Sequence, residues 1–151
     1  MITLADAAAT QAFGRALAAQ VRPGDVIALS GQLGAGKTSI ARGLLAALGL
    51  EAEAPSPSYA IVQPYDPPEV AFPVLHVDLY RIDDPDEAEE LGLEDARGDS
   101  LLLVEWPERL PDAWWADALW LTLTIEADGS RGLTARVPAA WKDRWPLQAT
   151  A

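Results

Sequence analysis

An eight-residue run, Gly31-Gln32-Leu33-Gly34-Ala35-Gly36-Lys37-Thr38, constrains this chain more than any other feature. It fits the pattern G-x-x-x-x-G-K-[S/T], and each fixed position has a chemical reason. Glycines permit the backbone angles that turn successive N–H groups inward into an anion nest. The lysine supplies a point charge to the β- and γ-phosphates, and the hydroxyl of Thr38 is a ligand for Mg²⁺. The flanks agree with such a loop. Val26 to Leu29 is a continuous apolar run, the mark of a strand buried on both faces. From Lys37 to Leu48 the pattern is helical, with Gly49 placed to end it, so the positive end of a helix dipole faces the same anion. Ser39, the next residue, is counted with Gly31 to Thr38 as a nucleotide contact.

The rest of the chain reads as one domain over residues 1–151, with an α/β order of elements. An amphipathic helix is predicted from Ala5 to Val21, with Leu4, Ala8, Phe13, Leu17 and Val21 at helical spacing and Thr3 or Asp6 as its cap. Arg22-Pro23-Gly24-Asp25 is a turn. Tyr59 to Val62 and Val74 to Val77 read as strands, joined by a proline-rich connection. Asp86 to Leu91 is a short acidic helix, and Leu101 to Val104 is a second fully apolar strand. Trp120 to Ile125 alternates as a half-exposed strand, and Asp128-Gly129 turns it into Leu133 to Val137. Ala139 to Trp145 is sized for one or two helical turns. The fold class is therefore α/β: a mainly parallel sheet flanked by helices, like that of P-loop NTPases, with a C-terminal antiparallel hairpin added.

Two further acids stand where such a site needs them. The strand Val74-Leu-His-Val ends in Asp78, and Leu101-Leu-Leu-Val ends in Glu105. The carboxyl ends of parallel strands line one crevice beside the phosphate loop, so either acid can serve the metal or orient water. With Lys37 they form the candidate catalytic set. His76 lies two residues before Asp78 and points to the same face; a lone strand histidine is usually structural. Arg81 could reach a phosphate or pair with the acids that follow. Trp106, directly after Glu105, is the one of six tryptophans placed to pack near the site.

Composition excludes several classes. The 151 residues hold no cysteine and one histidine, so disulfides, thiolate metal sites and multi-histidine sites are absent. Acids outnumber bases 23 to 11, a formal charge of −12. Clustered Lys and Arg are what grip nucleic acid, and none are seen; Asp83 to Asp95 is a run of acids with no base, either a solvated face or a surface for a basic partner. No apolar run is long enough to span a membrane, and the N-terminus does not read as a signal peptide, which leaves the cytoplasm as the expected compartment. GTPases usually read guanine with Asn-Lys-x-Asp. Besides Lys37 the chain has only Lys142, in Trp141-Lys-Asp-Arg, so ATP is the favoured nucleotide. Arg42, Arg81 and Arg131 are too scattered for a nucleoside kinase. A sensor whose nucleotide binding alone matters would carry the same residues.

Four blocks together resemble the TsaE family: Gly31 to Thr38, Ser56-Pro-Ser-Tyr59, His76-Val-Asp-Leu-Tyr-Arg81 and Leu103-Val-Glu-Trp-Pro107. Their order and spacing cover roughly residues 3 to 137. The resemblance implies ATP hydrolysis in support of a TsaD–TsaB complex, which transfers a threonylcarbamoyl group to adenosine 37 of tRNAs reading ANN codons. It implies Thr38 and Glu105 as Mg²⁺ ligands and Asp78 as a nucleotide-site acid needed for hydrolysis. It places Ser56 and Ser58 in a switch-like loop, Thr10 near the adenine, and Arg131 at a basic position of the tail hairpin. Gln32 stands where Asp is common in the family, and Ser58 where Thr is common; both keep a polar group.

Overall fold

The computed structural model of the chain describes residues 1–51 and 62–145. Seven strands form a single sheet: β1 (Ile2–Leu4), β2 (Val26–Ser30), β3 (Val62–Tyr65), β4 (Val74–Asp78), β5 (Leu101–Glu105), β6 (Leu119–Ile125) and β7 (Arg131–Arg136). The spatial order is β1-β7-β6-β2-β5-β4-β3. The four inner strands β6, β2, β5 and β4 run parallel, while β3 and β7 run antiparallel to their neighbours. The tail hairpin β6–β7 thus extends the parallel sheet through its first strand.

Alternation along the central strands divides the core between the two faces. Ile27, Leu29, Leu101 and Leu103 join the packing under helices α1 (Ala7–Ala18) and α2 (Lys37–Ala47). Val26, Ala28, Leu102 and Val104 face the other way, onto Leu79, Ile82, Leu93, Leu110 and Trp115. That second face is covered by α3 (Asp86–Glu90), α4 (Leu93–Ala96) and the 3₁₀ turns at Pro107–Arg109 and Asp112–Trp115. Every residue of β5 is buried. Such strands show no in–out alternation of polarity, because neither face meets water.

Several local expectations shift. The first helix is shorter than Ala5 to Val21: it is capped by Asp6, whose Oδ1 accepts the Ala9 N–H at 2.8 Å. Leu4 belongs to β1, whose residues pair with β7 from Ile2↔Leu133 to Leu4↔Arg131. A three-residue strand is too short to show a period of two, so the helical spacing absorbed Leu4. β3 begins at Val62; the rest of the Tyr59 to Val62 segment lies outside the described residues. Pro64 is tolerated in β3 because it is an edge strand. The acidic stretch is two short helices broken at Gly92, which takes φ 70°. The final segment makes one 3₁₀ turn, Ala139–Trp141, and Trp145 then packs edge-on against Phe13 at 6.2 Å.

Helices α1 and α2 cross at unusually short range because each offers a glycine to the other's backbone. A Cβ on Gly14 would lie 2.1 Å from the Ile40 carbonyl oxygen, and one on Gly43 would lie 2.1 Å from that of Gln11. These obstacles are main chain, so no rotamer change relieves them. Gly14→Ala and Gly43→Ala should therefore each destabilise the protein by about 1–3 kcal/mol or more. Gly98→Ala, where the nearest atom is 3.6 Å away, should change stability by less than about 0.5 kcal/mol. Urea unfolding of the three variants checks this; equal midpoints would refute the close-crossing account.

Candidate functional site

The loop between β2 and α2 carries the sequence motif. Gly31, Gly34 and Gly36 have φ of 146°, 81° and 111°, values that side chains disfavour. Gly31 and Gly36 are also crowded: a Cβ would meet the Leu123 carbonyl oxygen at 2.7 Å and Thr10 Cγ2 at 3.2 Å. Gln32 contributes its carbonyl to the turn, accepting the Ala35 N–H at 3.1 Å. Ala35 is buried, while Leu33 projects outward, 66% exposed.

Arg131, from the far hairpin, braces this loop. Its Nε donates to the Ala35 carbonyl at 3.0 Å, and its terminal nitrogens donate to Gly34 O at 3.2 Å and Gly129 O at 2.6 Å. A trans peptide holds C=O and N–H on opposite sides. Drawing the Gly34 and Ala35 carbonyls toward Arg131 therefore turns the Ala35 and Gly36 N–H groups away from it.

A cavity of about 240 Å³ opens in front of the loop, lined by Leu33, Gly34, Gly36, Lys37, Thr38, Ser39, Asp78, Glu105 and Trp106. Alternation accounts for the acids: Val74, His76 and Asp78 share a face of β4, as Leu101, Leu103 and Glu105 do on β5, and Asp78 is the register partner of Glu105. Both side chains line the cavity at the strand ends, Glu105 against the first turn of α2. Thr38 Oγ1 lies 3.2 Å from each oxygen of Glu105. Asp78 Oδ1 accepts the Tyr80 N–H at 2.8 Å. A smaller cavity of about 120 Å³ adjoins, lined by Asp6, Ala7, Thr10, Gly36, Ser39, Gly129 and Arg131. Thr10 Oγ1 donates to Asp6 O at 3.1 Å there.

Lys37 is buried apart from its cavity face, 4% exposed. Its ammonium donates to the Gly31 carbonyl and lies 3.7 Å from the centroid of the Trp106 ring, a cation–π contact. Trp106 holds φ 61°, the one non-glycine residue described with positive φ. That conformation costs roughly 1–2 kcal/mol, and the ring contacts to Lys37 and to Tyr80 (4.9 Å) offset it.

Of the residues singled out from the sequence, Leu33, Gly34, Gly36 to Ser39, Asp78 and Glu105 line the first cavity, and Thr10 and Arg131 the second, while Gly31, Gln32 and Ala35 shape the loop without lining either. Ser56 and Ser58 lie outside the described residues. Arg81 is exposed and lines neither cavity. The contact least visible in the sequence is that of His76, fully buried, whose Nε2 lies 2.7 Å from Glu105 Oε2. Its signals were being the sole histidine, two residues before Asp78 on a buried strand, and heading the His76-Val-Asp-Leu-Tyr-Arg81 block.

A hydroxyl and a carboxylate converging beside an anion nest could hold Mg²⁺, which keeps most of its waters and takes its other ligands from phosphate. Among the described residues no group of three or more His, Asp or Glu is arranged to cage a metal. Thr38 and Glu105 are the pair whose oxygens already face one another, and the loop and Lys37 could hold the phosphates.

Burial lowers the Lys37 pKa below the ordinary 10.5, against the opposing pull of Glu105, Asp78 and Glu108. A base with a depressed folded pKa binds fewer protons folded than unfolded between the two values, so stability rises with pH across that window. Its upper edge is 10.5. Relative to Lys37→Met, the wild-type protein should gain stability as pH climbs from neutral toward that edge. Paired urea unfolding curves measure it, and a difference that stays flat with pH would contradict the buried-ammonium account.

The family model described as "Threonylcarbamoyl adenosine biosynthesis protein TsaE" matches residues 4–133. The tRNA threonylcarbamoyladenosine biosynthesis protein TsaE of Bacillus subtilis is 34% identical over 126 residues, covering 83% of this chain and 77% of that protein. The protein of the same name from Synechocystis is 44% identical, with 72% and 70% of the two chains covered. The crystal structure of Bacillus subtilis YdiB superposes with a TM-score of 0.71 at 27% identity, covering 94% of this chain and 87% of that one. With the phosphate loop, the paired strand-end acids and the mainly parallel sheet in place, the chain belongs to the TsaE family of tRNA threonylcarbamoyladenosine biosynthesis.

Proposed function

We propose that this chain is a Mg²⁺-dependent ATPase, a single domain over residues 1–151, that supports threonylcarbamoylation of adenosine 37 in tRNAs reading ANN codons by acting on a TsaD–TsaB complex. The observation that carries the reading is the cavity in which the loop, Lys37, Thr38, Asp78 and Glu105 face one another. Gly31 to Ser39 would hold the triphosphate through backbone N–H groups and the Lys37 charge. Thr38 Oγ1 and Glu105 would hold Mg²⁺, which when bound neutralises charge on the β- and γ-oxygens. Asp78, its carboxylate oriented by the Tyr80 N–H, would position the attacking water. Thr10 and Arg131 border the smaller cavity, where the base and sugar would lie; Arg131 would act chiefly by keeping the loop in shape. Ser56 and Ser58 would sense the γ-phosphate and the partner.

The charge of −12 supports the division of labour, since a surface this acidic repels the phosphates of tRNA. The tRNA would be held by TsaD and TsaB homologues, in the cytoplasm. Among the described residues no helix is long and apolar enough to cross a membrane. Turnover without partners should be slow, as in switches completed by another protein.

Lys37→Ala should abolish binding of a fluorescent ATP analogue; unchanged affinity would sink the phosphate-loop assignment. Glu105→Ala should lower Mg²⁺-dependent hydrolysis more than nucleotide binding; surviving turnover would make Asp78 the better metal ligand. Pull-down with the TsaD–TsaB pair, with and without ATP, decides the biological role. No association in either condition would leave only a nucleotide-binding protein.

A further inference from the structure

We propose that His76 is a positioning residue that aims the Glu105 carboxylate at the cation; this rests on the reading of Thr38 and Glu105 as Mg²⁺ ligands. His76 is 0% exposed and Glu105 3%, and their contact of 2.7 Å is shorter than the 3.2 Å from Thr38 Oγ1 to either Glu105 oxygen. A threonine hydroxyl has one proton to give, and shared between two oxygens at equal distance it selects neither. The histidine contact breaks that symmetry. It engages Oε2 and leaves Oε1 as the oxygen without the imidazole in front of it.

The chemistry of the pair assigns the proton. An ionised carboxylate only accepts, so Nε2 must carry the hydrogen that bridges to Oε2. The other nitrogen, Nδ1, is buried and has no hydrogen-bond partner among the described residues. A ring serving only to fill the core would waste polarity at both nitrogens, and an apolar side chain would pack there without that cost. Among the described residues one nitrogen meets no partner while the other makes a short bond to the carboxylate, which marks a ring kept for what Nε2 does. Ligand-orienting partners of this kind, one bond removed from the metal, typically change metal affinity by about 10–100-fold when lost.

Register explains why His76 can take this role. His76 pairs across the parallel ladder with Leu103, one same-face step below Glu105. From there an imidazole leaning along the strand reaches the carboxylate, while Asp78, directly opposite Glu105, accepts a bond from the following turn.

Two measurements test the proposal. The chain has a single histidine, so long-range ¹H–¹⁵N spectra of the metal-free protein report this ring without assignment. They should show hydrogen on Nε2; a ring protonated at Nδ1 alone overturns the proposal. Mg²⁺ titrations of fluorescent-ATP binding are then compared across variants with unchanged circular dichroism. His76→Phe keeps the ring volume and removes the donor, and should raise the Mg²⁺ half-point about tenfold while affinity in EDTA stays that of the wild type. His76→Gln, whose amide can donate from a similar position, should restore most of the shift. An unshifted half-point in His76→Phe, or an equal loss of affinity in EDTA, overturns the proposal and leaves the ATPase reading standing. A wild-type protein that binds no nucleotide removes the ATPase reading, and the cation role of His76 with it. If His76→Phe does not fold, the wild-type ring spectrum still decides.

Discussion

The constraint on which the structure depends is that β2 and β5 lie side by side with both faces sealed from water. Their residues up to Leu29 and Val104 are buried and apolar, and a charge in the middle of either would lack any partner. Polar chemistry is pushed to the strand ends. There the register sets Leu29 beside Glu105 and Glu105 beside Asp78, and the chain leaving β2 becomes the phosphate loop. One crevice therefore collects the loop, the lysine and both acids for the same reason that the core is dry.

The second determinant is the crossing of α1 and α2. Gly14 and Gly43 allow the two backbones to approach so closely that Thr10 comes against Gly36. This joins the first helix to the loop that opens the second and makes the wall of the smaller cavity. The hairpin completes the wall from the other side, since Arg131 bonds Gly34 and Ala35 across 97 and 96 residues of chain. The phosphate loop is thus held by elements from both ends of the sequence.

Charge balance inside the site follows from this geometry. Lys37 is largely withdrawn from water, which disfavours its ammonium, while Glu105, Asp78 and Glu108 favour it. The face of Trp106 supplies further stabilisation without a competing hydrogen bond. The site therefore gathers one ammonium and several carboxyl groups in a small volume.

Much of this was legible in the sequence, and the reason differs by element. Gly31 to Thr38 is a local motif whose glycines permit its positive φ angles, so its turn was readable from its own residues. The mainly apolar runs ending in Asp78 and Glu105 announced buried strands, because a strand sealed on both faces admits a polar residue before its end only where it finds a partner, as His76 does. Leu4 in β1 and the break at Gly92 were not legible, since three-residue strands and five-residue helices carry too few turns of pattern to show a period. What only the tertiary structure decided are contacts between residues far apart in sequence. Among them are the 2.7 Å approach of His76 to Glu105, the Trp106 ring over Lys37, and the clasp of Arg131 on the loop. Each depends on strand register or helix approach, which arise when surfaces pack and which no local run of residues encodes.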